Sequence, residues 1–282
     1  MTNGTMYCPV TGLRKLLIAT DGSQYSEGAV REAIRLAKQC SATLYAISVI
    51  EVATYYEGFS IQKVEEVQEA GVGKQLDAVK SVASKEGVTC EIIVAHGDPH
   101  TAIVEEAKKR RADLIVVGRR GLRGLAKALM GAVSARVIGA AQCNVLVVPR
   151  AAKIEHKTVL VATDGSTHGN AAASTAVALA KQCDSRLIAL SAMRDDSERA
   201  SAQEHVNKVV EQGKLEGVTV EPLTPLGRSY DVIVETAGGR GADLIVMGAY
   251  GKTGLKKFLM GSSTEKVIGS AGCAVLVVQA RS

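Results

Sequence analysis

Two glycine-bearing stretches with one spacing are the residues of this sequence best suited to chemistry. Residues 118–134 read GRRGLRGLAKALMGAVS, and residues 248–264 read GAYGKTGLKKFLMGSST. In each copy two residues separate the first pair of glycines and nine separate the second pair: Gly118, Gly121 and Gly131, then Gly248, Gly251 and Gly261. Glycine lets backbone approach a ligand closely, and a loop that opens a helix offers unpaired N–H groups at a positive dipole end. That geometry suits a phosphate. The bland alternative is a pair of simple turns, but recurrence in the same context favours phosphate binding. Each copy follows an Ala-Asp-Leu-Ile-Val run, at 112–116 and 242–246, with the continuous apolar character of a buried parallel strand. Each precedes a helix-like segment, at 133–140 and 263–270.

A carboxylate recurs as well. KLLIATDGS at 15–23 is answered by KTVLVATDGS at 157–166, so a β-branched and aliphatic run ends at Asp21 in one copy and Asp164 in the other, each beside a Gly-Ser turn. Alone, such an Asp reads as a turn residue. In open α/β sheets, however, ligands bind beyond the carboxyl ends of strands where the strand order reverses. If the first and fourth strands of a repeat are neighbours, one crevice offers a carboxylate for sugar hydroxyls and N–H groups for phosphates. A nucleotide fits that pair better than a bare phosphate.

The elements that must position these groups alternate along the chain. Strand-like runs fall at 16–20, 44–50, 88–95, 114–117 and 145–148, and helix-like runs at 26–39, 101–111 and 133–140, with Ser26 as an expected N-cap. Alternation of this kind predicts a doubly wound parallel sheet. Asp164 follows Asp21 by 143 positions, whereas Gly248 follows Gly118 by 130, so the first copy carries 13 extra residues between 50 and 87. These include Tyr55, Tyr56 and Phe59, readable as a lid, a partner-contact loop or a solvated insertion. The domains expected are 1–150 and 151–282, joined by a short polar segment at 149–156 and therefore packed together.

Composition narrows the classes. The 282 residues are 46% hydrophobic with Trp 0 and Phe 2, which predicts aliphatic cores of the kind that parallel sheets build. A formal charge of +5, with no basic run interleaved with aromatics, argues against nucleic acid; the cations at 108–111 suit a helix end. The six cysteines show no CxxC spacing and are expected to be reduced core thiols. No 18-residue apolar run or signal-peptide pattern is present, residues 1–12 read as a loose tail, and a soluble cytoplasmic protein without membrane contact is expected.

The Gly-x2-Gly-x9-Gly loop, the first-strand Asp and the Val-Leu-Val-Val endings resemble the universal stress protein (UspA-like) family in tandem form, over about residues 13–279. The resemblance implies two five-stranded, Rossmann-like parallel sheets paired through their last strands as a pseudo-dimer, with a further homodimer as an option. It also implies ATP, free or Mg-bound, as ligand. On that pattern Asp21 and Asp164 hold ribose, and backbone at Val49 and Ala192 meets adenine. Gly118, Gly121, Gly131, Val133 and Ser134, with Gly248, Gly251, Gly261, Ser262, Ser263 and Thr264, hold ribose and phosphates. The first copy departs from the pattern at Ala132, where a hydroxyl residue is usual; Ser134 or Arg119, Arg120 and Arg123 are the expected substitutes.

Rival sites fail on single residues. A P-loop would need glycine where Val246 stands, and a dinucleotide fingerprint would need it at Arg120 and Tyr250. The five histidines form no ligand set and no Gly-x-Ser-x-Gly elbow occurs, so neither a metal site nor a catalytic residue is expected. Two function classes remain: an ATP-binding stress-response regulator or sensor with slow hydrolysis at most, and an interaction module that acts through dimerisation and an unidentified protein partner.

Overall fold

The computed structural model describes residues 8–51, 61–121, 130–252 and 260–280; Tyr55, Tyr56, Phe59 and Arg123 lie outside them. The first repeat runs β1 (Lys15–Ala19), α1 (Glu27–Cys40), β2 (Thr43–Ile50), α2 (Ile61–Lys85), β3 (Cys90–His96), α3 (Pro99–Arg110), β4 (Leu114–Gly118), α4 (Ala132–Ala140) and β5 (Asn144–Val148). The second runs β6 (Thr158–Ala162), α5 (Thr167–Cys183), β7 (Arg186–Leu190), α6 (Arg199–Glu216), β8 (Val220–Leu223), α7 (Ser229–Gly239), β9 (Leu244–Gly248), α8 (Ser262–Ser270) and β10 (Ala274–Val278), with a 3₁₀ turn at Asp196–Glu198 before α6. Among the described residues no helix is long and apolar enough to cross a membrane.

All ten strands form one sheet, in the order β3-β2-β1-β4-β5-β10-β9-β6-β7-β8. In each repeat the strand order therefore reverses between the first and fourth strands, which pair in parallel as Ala19↔Val117 and Ala162↔Met247. The expected neighbouring of first and fourth strands holds in both. Strands β4 and β9, LIVVG and LIVMG, are buried throughout because helices cover both faces. Successive side chains alternate between two cores, Leu16 and Ile18 in one, Leu17 and Ile115 in the other, and each core runs through both repeats.

The seam is the antiparallel pair β5–β10. Val147 lies opposite Val275, Leu146 opposite Leu276 and Val145 opposite Val277. Leu146 and Leu276 are equivalent positions of the two repeats, so the pseudo-two-fold axis passes between them. They are 4% and 2% exposed, and the pairing covers an edge that either repeat alone would present to water.

The linker is clamped rather than loose. From α1, Arg31 and Arg35 donate to the carbonyls of Ala152 and Ile154, and both guanidinium groups pair with the buried Glu32. His156 adopts φ 57°, donates its N–H to Asp243 at 2.8 Å and accepts at its carbonyl from the Ser185 hydroxyl. Burial, and then the nearby Arg35 charge, lower the His156 imidazole to about 4.

Four expectations need correction or refinement. Cys8 and Cys40 form a disulfide rather than remaining reduced, while Cys90, Cys143, Cys183 and Cys273 stay outside any disulfide. Thus residues 8–12 are no loose tail: Cys8 is tied to the end of α1, and the Thr11 hydroxyl accepts from Gln182 of α5 at 2.9 Å. Ser26 precedes α1 without capping it, since its hydroxyl is spent on the Ser23 carbonyl and Thr20; in the second repeat Ser166, the equivalent of Ser23, caps α5 by accepting from Gly169 N–H. Part of the insertion lengthens a helix, α2 having 25 residues against 18 in α6.

Two outcomes are expected. Because folded His156 stays neutral to about 4 while an unfolded imidazole protonates near 6.5, protons favour unfolding within that window, and its contribution is complete only above 6.5. Denaturant unfolding of wild type and His156→Asn, whose side chain tolerates the positive φ, should therefore show a stability difference that changes by about 3 kcal/mol between those pH values. A difference independent of pH would contradict this. Reducing the Cys8–Cys40 bridge, which spans a separation of 32 residues, should cost up to about 3–4 kcal/mol on the chain-entropy estimate. Cys8→Ser should remove all sensitivity to reductant.

Candidate functional site

The second repeat gathers its expected site residues around one cavity of about 520 Å³ at the carboxyl ends of β6 and β9. Asp164, Ala192, Gly248, Gly251, Gly261, Ser262, Ser263 and Thr264 all line it. Asp164 stands just past β6, and Ala192 two residues beyond Leu190, whose carbonyl accepts from Thr163 N–H at 2.9 Å. Opposite them, the glycine loop leaves β9 and returns at Gly261, whose N–H donates to the Ala249 carbonyl at 3.0 Å.

Asp164 holds the loop in place. One oxygen accepts from Ser166 N–H at 3.0 Å and the other from Lys252 N–H at 2.8 Å. Burial pushes this carboxyl up, but the hydrogen bonds from Ser166 and Lys252 outweigh it and hold it below its ordinary range. The carboxylate is therefore ionised at neutral pH, with lone pairs left for further donors. Gly251 is required here, since a Cβ would lie 2.6 Å from Asp164 Oδ2.

Thr264 and Ser134 turn out to brace the loops. Thr264 Oγ1 donates to the Gly248 carbonyl at 3.0 Å, and Ser134 Oγ donates to the Gly118 carbonyl at 2.8 Å, both inside the protein. Those hydroxyl protons are committed to backbone. What the first turns of α4 and α8 offer a ligand is N–H groups, because intrahelical bonding begins only with Ala135 N–H to Gly131 and Glu265 N–H to Gly261. Ser263 shares a hydrogen bond with Ser229 at 2.9 Å, and Ser262 is exposed.

The first repeat repeats the frame. Asp21 accepts from Ser23 N–H at 3.0 Å, and a Cβ on Gly121 would lie 2.7 Å from its other oxygen. Gly131 N–H donates to the Arg119 carbonyl at 2.9 Å; Val49 lies at the end of β2 beside β1, and Val133 is 37% exposed on α4. Arg119 Nη1 donates across the seam to the Ala271 carbonyl at 2.8 Å. Its counterpart traffic comes from the second loop, where Tyr250 donates to the Gly139 carbonyl at 3.1 Å.

Sequence spacing did not single out His205, Ser191, Tyr250 or Lys252 as site residues. All four line the second cavity. A signal existed for His205: it and Gln75 are equivalent positions, and each packs over the turn glycine beside the Asp, Gly165 and Gly22 respectively.

Comparison with known proteins settles the family. The profile of the universal stress protein family matches residues 12–149 and again residues 155–279. The chain belongs to the universal stress protein family. Curated relatives include a universal stress protein of Methanocaldococcus jannaschii, 40% identical over 50% of this chain and 84% of its own, and one of Synechocystis, 36% identical over 49% and 98%. A crystal structure of a universal stress protein from Archaeoglobus fulgidus superposes with a TM-score of 0.81 over 98% of both chains; at 22% identity it speaks for the fold alone. Two universal stress domains in one chain, each α/β with a parallel sheet, therefore make up this protein.

The bracing role of the buried hydroxyls is testable by unfolding. Thr264→Val should destabilise by about 1–3 kcal/mol, since it strips the donor from the buried Gly248 carbonyl, whereas Ser262→Ala on the exposed surface should stay within about 0.5 kcal/mol. Equal losses would refute the distinction.

Proposed function

We propose that this universal stress protein binds ATP, free or Mg-bound, in the second-repeat cavity and in the matching crevice of the first, and serves as a nucleotide-dependent stress regulator or sensor with slow hydrolysis at most. The observation that carries this reading is the convergence of all eight second-repeat positions on one cavity at the strand-order reversal. Its volume of about 520 Å³ lies within the range of small-molecule sites. Asp164 is ionised and suits ribose hydroxyls, the backbone at Ala192 suits the base, and the N–H groups from Gly261 to Thr264 suit the phosphates. A magnesium ion would arrive on the triphosphate.

The interaction-module reading draws on the seam, where paired strands and cross-domain hydrogen bonds already stabilise the pseudo-dimer without ligand. Nucleotide content separates the two. Denaturing the purified protein should release adenine nucleotide, and added Mg-ATP should raise stability by about 2.7 kcal/mol at a hundred times its dissociation constant. An empty protein whose melting does not respond to millimolar Mg-ATP would leave only the interaction module.

A further inference from the structure

The second cavity contains a relay that nucleotide binding as described above leaves unused. Lys252 follows the second glycine of the loop; its backbone N–H is held by Asp164, and its Nζ lies 3.1 Å from His205 Nε2. On the other side of the ring, His205 Nδ1 is 3.1 Å from Ser191 Oγ, a side chain 2% exposed. An ammonium has donors only, so Nε2 must accept, the ring proton must sit on Nδ1, and Nδ1–H donates to the serine oxygen. Burial and the neighbouring Lys252 charge both favour the neutral ring; Asp164 and Glu204 pull the other way, and Lys208 adds to Lys252.

A neutral imidazole offers a cation one acceptor and no charge. Among the described residues no carboxylate forms an ion pair with Lys252, so a phosphate chain on the adjoining glycine loop would be the stronger partner. The first repeat lacks both halves of this device: Gln75 takes the place of His205 over the turn glycine, and Leu122 occupies the sequence position equivalent to Lys252.

We infer that Lys252 is the phosphate-reading cation of the second cavity, resting on His205 when the site is empty and moving to the phosphate chain of a bound nucleotide, so that this repeat discriminates nucleotides from nucleosides. The inference rests on the nucleotide reading above. Departure of the ammonium removes one of the influences that keep the ring neutral, so nucleotide binding is accompanied by proton uptake at His205. A nucleoside, which does not reach Lys252, draws no proton.

Isothermal titration of the full chain tests this, with Gly131→Asp blocking the first crevice and Mg-ATP and adenosine as probes. Lys252→Met should weaken Mg-ATP at least tenfold, the expected size of a charge-assisted hydrogen bond, and leave adenosine within about twofold. At pH 6.5, heats in buffers of different ionisation enthalpy should report proton uptake with Mg-ATP and none with adenosine. His205→Gln, which installs the residue of the first repeat, should keep binding and lose the uptake. Equal weakening of both probes by Lys252→Met would make the residue a loop anchor and overturn the inference, as would undiminished Mg-ATP affinity or uptake that survives His205→Gln. Binding of neither probe by the parent chain would mark failure of the nucleotide reading itself, and the inference would fall with it.

Discussion

Everything in this molecule depends on the antiparallel contact between β5 and β10. A five-stranded parallel sheet that ended at β5 would leave a row of backbone donors and acceptors beside an apolar strand, a hazard that folded proteins cover. Placing Leu146 against Leu276 satisfies that edge with its own repeat and turns two sheets into one. Both hydrophobic cores then run continuously through the chain, and the glycine loops, which leave the strands next to the seam, come close enough for Arg119 and Tyr250 to reach into the opposite domain.

Within each repeat the same economy recurs at smaller scale. In both repeats the Asp at the end of the first strand closes a turn, and in the second Asp164 also latches the glycine loop through Lys252 N–H, because a carboxylate has more lone pairs than one turn uses. Glycine at 121 and 251 is what lets the loop come that near. The turn reading of this Asp is met in that geometry, and Ser134 and Thr264 belong to the loop motif by bracing it.

Much of the fold was legible because it is written in local patterns. Apolar runs ending at Asp-Gly-Ser or at glycine gave the strands, helical periodicity gave α1 and α3, and the shift between 143 and 130 placed the insertion before Gly87. What stayed hidden involves partners distant in sequence. Cys8 and Cys40 meet only because α1 ends beside the incoming chain, and no spacing rule announces a pair 32 residues apart. His205 and Lys252 are 47 residues apart and share one hydrogen bond only after β6 and β9 have brought α6 and the loop together. Ser26 misled for a related reason: its hydroxyl fits a cap by sequence, but Thr20 and the Ser23 carbonyl claim it first.

The axis between Leu146 and Leu276 relates two halves that are encoded separately. In a homodimer any substitution appears in both sites at once, so a change useful in one must be tolerable in the other. A covalent tandem is released from that constraint: Gln75 and His205 occupy one architectural position with different chemistry, and so do Ala132 and Ser262. Symmetry here is a property of the scaffold alone, and each crevice is free to drift toward its own ligand or its own affinity while the sheet that carries them remains one object.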